Sequence, residues 1–148
     1  MQIRELGQPD LKELLILYAH LHEVDDPTPP LEIVESVWSE ILSSPRFRYF
    51  GVILDGHLVA SCNLTIIPNL TRACRPYGLI ENVVTHRAHR NRGFGKAVLA
   101  RAVEVAWKQD CYKVMLMTGR KDEATLRFYQ SAGFDPIGKQ AFIARPSA

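Results

Sequence analysis

Two apolar segments rich in branched residues, Phe50 to Leu54 and Leu58 to Ile67, are joined by Asp55-Gly56. Such residues fit a pleated, half-buried surface, and Asp-Gly takes up the positive φ angles that a two-residue hairpin turn demands. The sequence therefore predicts an antiparallel hairpin from about Phe50 to Ile67, and the rest of the chain has to cover its faces.

The cover is legible on both sides. After a short strand at Ile3 to Glu5, Pro9 and Asp10 open a helix in which Leu11, Leu14, Leu15, Tyr18 and Leu21 recur at steps of three and four. Asp25 to Pro30, with three prolines, breaks it. Leu31 to Leu42 then carries Ile33, Val34, Val37, Trp38 and Ile41 on a second helix that ends before Pro45. Beyond the hairpin, Pro68 to Pro76 reads as a loop and Tyr77 to Thr85 as an apolar strand. A basic run from His86 to Arg92 follows it. Phe94 to Lys108 is a helix with Val98, Leu99, Ala102, Val103 and Ala106 on one face. Tyr112 to Thr118 reads as a strand, Glu123 to Ala132 as a helix stopped by Gly133, and the residues through Phe142 as a last extended stretch.

This order predicts an α/β (α+β) fold: a central mixed, mostly antiparallel sheet flanked by about four helices. With 148 residues, 47% of them hydrophobic, the chain suits one domain spanning 1–148. A net charge of +2 is too small for a general nucleic-acid binder, although Arg87, Arg90, Arg92, Lys96 and Arg101 cluster locally. Neither an aromatic-interleaved RNA motif nor a recognition-helix pattern accompanies them, so no nucleic-acid partner is expected. Cys62, Cys74 and Cys111 lack the close spacing of a zinc or redox pair and read as reduced thiols; no metal is expected. No apolar run approaches the ~20 residues that span a bilayer, and the N-terminus enters charged sequence at once. The expectation is a cytoplasmic protein with no membrane partner.

Chemistry concentrates in Arg90-Asn91-Arg92-Gly93-Phe94-Gly95-Lys96, between a strand and a long helix. The first N–H groups of a helix lack internal partners and carry the positive end of its dipole, so such a junction binds anions. Gly93 and Gly95 let the main chain approach a bulky pyrophosphate, and Arg90, Arg92 and Lys96 add charge. The Walker phosphate loop does not fit, because Gly95-Lys96-Ala97 lacks the hydroxyl and the first glycine. A dinucleotide fingerprint does not fit either, because Val98 stands where its third glycine belongs.

The Arg-x-x-Gly-x-Gly pattern, the preceding strand Asn82-Val83-Val84-Thr85 and the downstream run Leu126-Arg127-Phe128-Tyr129-Gln130-Ser131-Ala132-Gly133-Phe134 together resemble the GNAT N-acetyltransferases over Ile80 to Phe134. Within that superfamily, Ile80-Glu81-Asn82-Val83-Val84 and Cys111-Tyr112-Lys113-Val114 are most similar to the glucosamine-6-phosphate N-acetyltransferases. The chain departs from them at Asn82, where they usually carry Asp, and at Met117, where they carry an acidic residue.

The resemblance implies transfer of an acetyl group from acetyl-CoA to a primary amine, by direct attack through a tetrahedral intermediate. The acceptor would be an amino sugar phosphate or another small amine. A bulge near Val83, Val84 and Thr85 would splay this strand from the next and free its backbone to pair with pantetheine, with an N–H near Val84 holding the developing oxyanion. Arg90, Asn91, Arg92, Gly93, Phe94, Gly95 and Lys96 would hold the pyrophosphate. Tyr129 is the implied acid for the departing thiolate, against a reading as a core tyrosine. Glu81 is the candidate base, or else a salt-bridged strand residue. Asp122 either approaches pantetheine or caps the last helix. His86 and His89, in the phosphate loop, are read as solvated or phosphate-facing rather than catalytic.

For the acceptor, Glu23, Asp25 and Asp26 in the helix-helix loop would suit a cationic amine, and Arg72 and Arg75 an anionic substituent. A coenzyme A sensor without catalysis is the alternative, and a homodimer is compatible with the family.

Overall fold

The computed structural model describes residues 1–147. Five strands, β1 (Gln2–Glu5), β2 (Phe47–Leu54), β3 (His57–Ile67), β4 (Tyr77–Thr85) and β5 (Val114–Leu116), lie side by side in chain order. The first four are antiparallel and β5 runs parallel to β4. The hairpin turn is the expected one: Asp55 (φ 50) and Gly56 (φ 83) both take positive φ, and Leu54 pairs with His57.

Helices α1 (Leu11–Tyr18) and α2 (Leu31–Leu42) cover one face of the sheet, where Leu6, Leu14, Leu17, Trp38, Leu58 and Val84 form a small core. On the other face α4 (Phe94–Lys108) buries Val98, Leu99, Ala102 and Ala106 against Phe50, Val52, Ala60, Cys62, Leu64 and Ile80. The last helix, α5 (Glu123–Ser131), packs beside α4 through Phe128 and Tyr129. Side chains along α4 recur at the spacing that one buried face requires, which is why its extent matches the sequence pattern.

Several expectations shift. Helix α1 ends at Tyr18 rather than Leu21, but the N–H groups of Ala19, His20 and Leu21 donate in succession to the carbonyls of Ile16, Leu17 and Tyr18 and prolong it as a tight turn. The loop before β4 contains α3 (Thr71–Cys74), a single turn wound left-handed, with Arg72, Ala73 and Cys74 at φ 55, 58 and 60. The strand expected over Tyr112–Thr118 pairs only over Val114–Leu116.

The stretch through Phe142 joins no strand of the sheet. Ile137, Phe142 and Ile143 are 88%, 91% and 65% exposed, so this segment finds no apolar surface of its own chain to lie on. No helix among the described residues is long and apolar enough to cross a membrane.

Candidate active site

The site begins where the sheet comes apart. Gly78, Leu79 and Ile80 of β4 pair with Val114, Met115 and Leu116 of β5, and there the pairing stops, although β4 continues to Thr85. Across the other edge of β4, Glu81 faces Asn63 and Val84 faces Ser61, so Asn82 and Val83 share the one position opposite Cys62. That is a β-bulge on β4. Asn82 absorbs it at φ 51, a left-handed conformation that asparagine tolerates better than most residues. A bulge bends its strand, and beyond it the β5-side edge of β4 is left without a strand partner.

Helix α4 starts at the mouth of this gap. Gly93 is its N-cap at φ 82, no side chain caps the helix, and the first intrahelical bond runs from Ala97 N–H to Gly93 O, so the N–H groups of Phe94, Gly95 and Lys96 are open to a ligand. Asn91 joins Gly93 at positive φ. The two glycines serve different ends. A Cβ on Gly93 would meet nothing within 4 Å, whereas one on Gly95 would lie 3.0 Å from Phe128 and 3.1 Å from Thr85 Oγ1. Gly93 supplies backbone conformation beside open space, and Gly95 supplies close approach of α4 to β4 and α5.

Gap and helix end form one cleft of about 760 Å³, lined by β4 from Ile80 to Thr85, by Arg90, Asn91 and Gly93 to Lys96, and by Phe128 and Tyr129 of α5. Tyr129 is half-buried. Burial, reinforced by nearby Cys62 and Glu81 and opposed by Arg120, raises its pKa and keeps the phenol protonated at neutral pH. Glu81, exposed, lines the same cleft as Tyr129. Cys62, beneath the bulge, gives its S–H to Val98 O at 3.7 Å; burial pushes the thiol up to about 12, leaving it inert.

Three sequence-derived residues also make contacts within the chain. The Arg92 guanidinium lies 5.0 Å from the Phe94 ring centroid and 2.9 Å from His89 Nδ1, and Arg92 does not line the cleft. The Arg90 guanidinium donates to Thr85 O (3.3 Å) and His20 O (3.1 Å). Asp122 lines the cleft and is the N-cap of α5, accepting from the Thr125 hydroxyl at 2.9 Å and from Thr125 N–H at 3.0 Å; these bonds, the hydroxyl's first, lower its pKa.

The acceptor end is also rearranged. Glu23, Asp25 and Asp26 are exposed and outside the cleft, which is walled instead by His20, Leu21 and His22 at the end of α1 and by Thr118, Gly119 and Arg120 before α5. Arg72 lies over Tyr112, and Arg75 pairs with Asp110 and reaches the carbonyls of Asp110 and Cys111, so neither arginine enters this cleft. The wall residues escaped the sequence reading because they lie where the helical pattern fades and carry no motif. Among the described residues no group of three or more His, Cys, Asp or Glu side chains is arranged to hold a metal ion.

Comparison with known proteins gives the same outline. Residues 11–134 match the model of the acetyltransferase (GNAT) family. The chain is 34% identical over 141 residues to glucosamine 6-phosphate N-acetyltransferase of Trypanosoma brucei brucei, covering 90% of this chain and 88% of that one. Among solved structures, a putative acetyltransferase from Agrobacterium tumefaciens str. C58 superposes with a TM-score of 0.92 at 43% identity, over 99% of this chain and 100% of that one. Glucosamine-6-phosphate N-acetyltransferase of Arabidopsis thaliana shares the fold, with a TM-score of 0.84 at 22% identity over 98% and 97% of the two chains. A bulged β4, an open glycine-rich helix start and a family match over most of the chain converge on one assignment: the protein belongs to the GNAT family of acetyltransferases.

Proposed function

We propose that the chain transfers the acetyl group of acetyl-CoA to a primary amine of a small molecule, by direct attack on the thioester. The observation that carries this reading is the gap between β4 and β5 beyond Ile80 and Leu116, bounded by the bulge at Asn82 and Val83 and opening onto the uncapped start of α4. A pantetheine arm fits the free edge of β4 as an added strand would. A pyrophosphate fits the open N–H groups of Phe94, Gly95 and Lys96 beside Gly93.

In that arrangement the free N–H groups of Val83 to Thr85 on the gap side stabilise the oxyanion as charge develops. Glu81 accepts the proton that an alkyl amine, with pKa about 10, carries at neutral pH. Tyr129 donates toward the departing sulfur. Its raised pKa does not disqualify it, because the same burial raises the proton affinity of a thiolate held there.

The similarity to glucosamine 6-phosphate N-acetyltransferases makes an amino sugar phosphate the first acceptor to try. Free Cys62, Cys74 and Cys111 support a reducing, cytoplasmic setting. Exposed Ile137, Phe142 and Ile143 support a homodimer in which a second copy covers the C-terminal segment.

Calorimetric titration with acetyl-CoA, on wild type and on Gly93→Glu, tests the cofactor site. Micromolar binding lost in a folded Gly93→Glu supports the reading, and no binding by wild type overturns it. Thiol release is then followed with glucosamine 6-phosphate, glucosamine and a short peptide bearing a free amine. Turnover of the first alone identifies a phosphorylated acceptor, turnover of the peptide alone overturns the small-molecule acceptor, and binding without turnover on a wider amine panel leaves a sensor.

A further inference from the structure

The signature arginine of the phosphate loop does not reach outward. Arg90 places Nε 3.3 Å from Thr85 O, at the end of β4, and Nη2 3.1 Å from His20 O, at the end of α1. Two further contacts join the same pair of segments. The N–H of Arg87 lies 3.5 Å from His20 Nδ1, and the rings of His20 and His86 stand 4.0 Å apart. His86 is itself anchored, its Nδ1 accepting from Ala88 N–H at 3.1 Å.

What this tether holds is the acceptor-side wall of the cleft. His20, Leu21 and His22 line it, and the chain beyond them, from Glu23 to Pro30, is exposed and without helix or strand. That segment has little packing to fix its position, so beyond Leu21, which packs on the small core, the wall depends on what grips it. The grip comes from the loop whose other end, at Asn91 and Gly93, turns into the open N-terminus of α4. One short loop thus touches both halves of the cleft.

We propose that Arg90 is a positioning residue that couples occupancy of the phosphate loop to the acceptor wall. Acetyl-CoA, by ordering residues 86–96, holds His20 to His22 in place through Arg90, and the acceptor then binds a wall already set. Thermodynamic reciprocity requires the acceptor to tighten acetyl-CoA by the same factor. The inference rests on the acetyl-CoA reading above, since it names that molecule as what loads the loop.

Amide hydrogen exchange, with and without saturating acetyl-CoA, tests it without an identified acceptor. In wild type, protection should rise both over residues 86–96 and over residues 19–30. In Arg90→Gln, calorimetry should give an acetyl-CoA affinity within about fivefold of wild type, with protection retained over 86–96 and lost over 19–30. Arg90→Lys, which keeps the charge but not the planar fork, should behave as Arg90→Gln does. Protection confined to 86–96 in wild type would overturn the coupling. So would a large loss of acetyl-CoA affinity in Arg90→Gln that Arg90→Lys restores, because Arg90 would then be a phosphate ligand. Absence of any protection in wild type would sink the acetyl-CoA reading itself, and the coupling with it.

Discussion

Gly95 and Thr85 stand so close that a Cβ on the glycine would lie 3.1 Å from the threonine Oγ1, with Phe128 at 3.0 Å on its other side. Three elements that build the cleft, β4, α4 and α5, meet at that missing methyl group. In Gly95→Ala, Phe128 and Thr85 must each yield a few tenths of an ångström, and Tyr129 follows Phe128 in sequence. Alanine regains about 0.5–1 kcal/mol of helix propensity, which offsets much of the packing strain. We therefore expect little change in stability but an acetyl-transfer rate reduced about tenfold. At Gly93 the balance reverses. Gly93→Ala meets no neighbour, yet φ 82 costs a side chain about 1–2 kcal/mol. Urea unfolding and initial rates on both variants check the contrast; equal stability losses would refute it.

Tyr129→Phe separates packing from chemistry. The ring lies against Phe128 and Phe134, at centroid distances of 5.0 and 6.5 Å, and those contacts survive loss of the hydroxyl. The melting temperature and the acetyl-CoA affinity should change little. The turnover number should fall about 10²–10⁴-fold, the range of a lost general acid. Because burial raises the phenol, the wild-type rate should not decline from loss of this proton anywhere between neutrality and pH about 10. An unaltered turnover number in Tyr129→Phe would return Tyr129 to the core.

What the sequence discloses here is what local backbone chemistry demands. Asp55-Gly56 specifies its turn because both residues need positive φ, and Asp122 caps α5 through a side chain three residues from its partner, Thr125. The bulge was legible only by resemblance, although Asn82 is a residue suited to its left-handed position. The contact Arg90 makes is illegible for a different reason. Its partner carbonyl at His20 lies seventy residues away, and no periodicity links a loop arginine to a helix terminus. The turn at Arg72 to Cys74 carries no glycine or asparagine to announce positive φ, so a local reading passes over it.

The exposed C-terminal segment yields a prediction about assembly. Ile137, Phe142 and Ile143 would each contribute about 1.5–3 kcal/mol if buried, and a symmetric pair would bury both copies of the segment against the cost of association. Deleting residues 135–148 keeps Phe134, which packs on the main core. The full chain should elute as a dimer in size-exclusion chromatography with light scattering, and the truncated chain should remain folded and elute as a monomer. A full chain that stays monomeric at about 100 μM, far above the Kd of a stable dimer, would refute the dimer.

Acid should loosen the contact between α1 and the phosphate loop before it denatures the protein. Burial, then the proximity of His86, Arg87 and Arg90, lowers the pKa of His20 in the folded chain. Its Nδ1 faces the Arg87 N–H at 3.5 Å, an arrangement that requires this nitrogen to be an acceptor. Above the unfolded value of about 6.5, His20 is neutral in both states and its contribution is fully present. As pH falls below that value the unfolded chain takes up the proton first, and the contribution is lost down to the folded pKa. His20→Gln removes the titration. The stability gap between wild type and this variant, measured by urea unfolding, should be flat above about pH 7 and shift against wild type as pH falls toward about 5.5. Parallel curves over that interval would mean that protonation of His20 is not resisted by the fold.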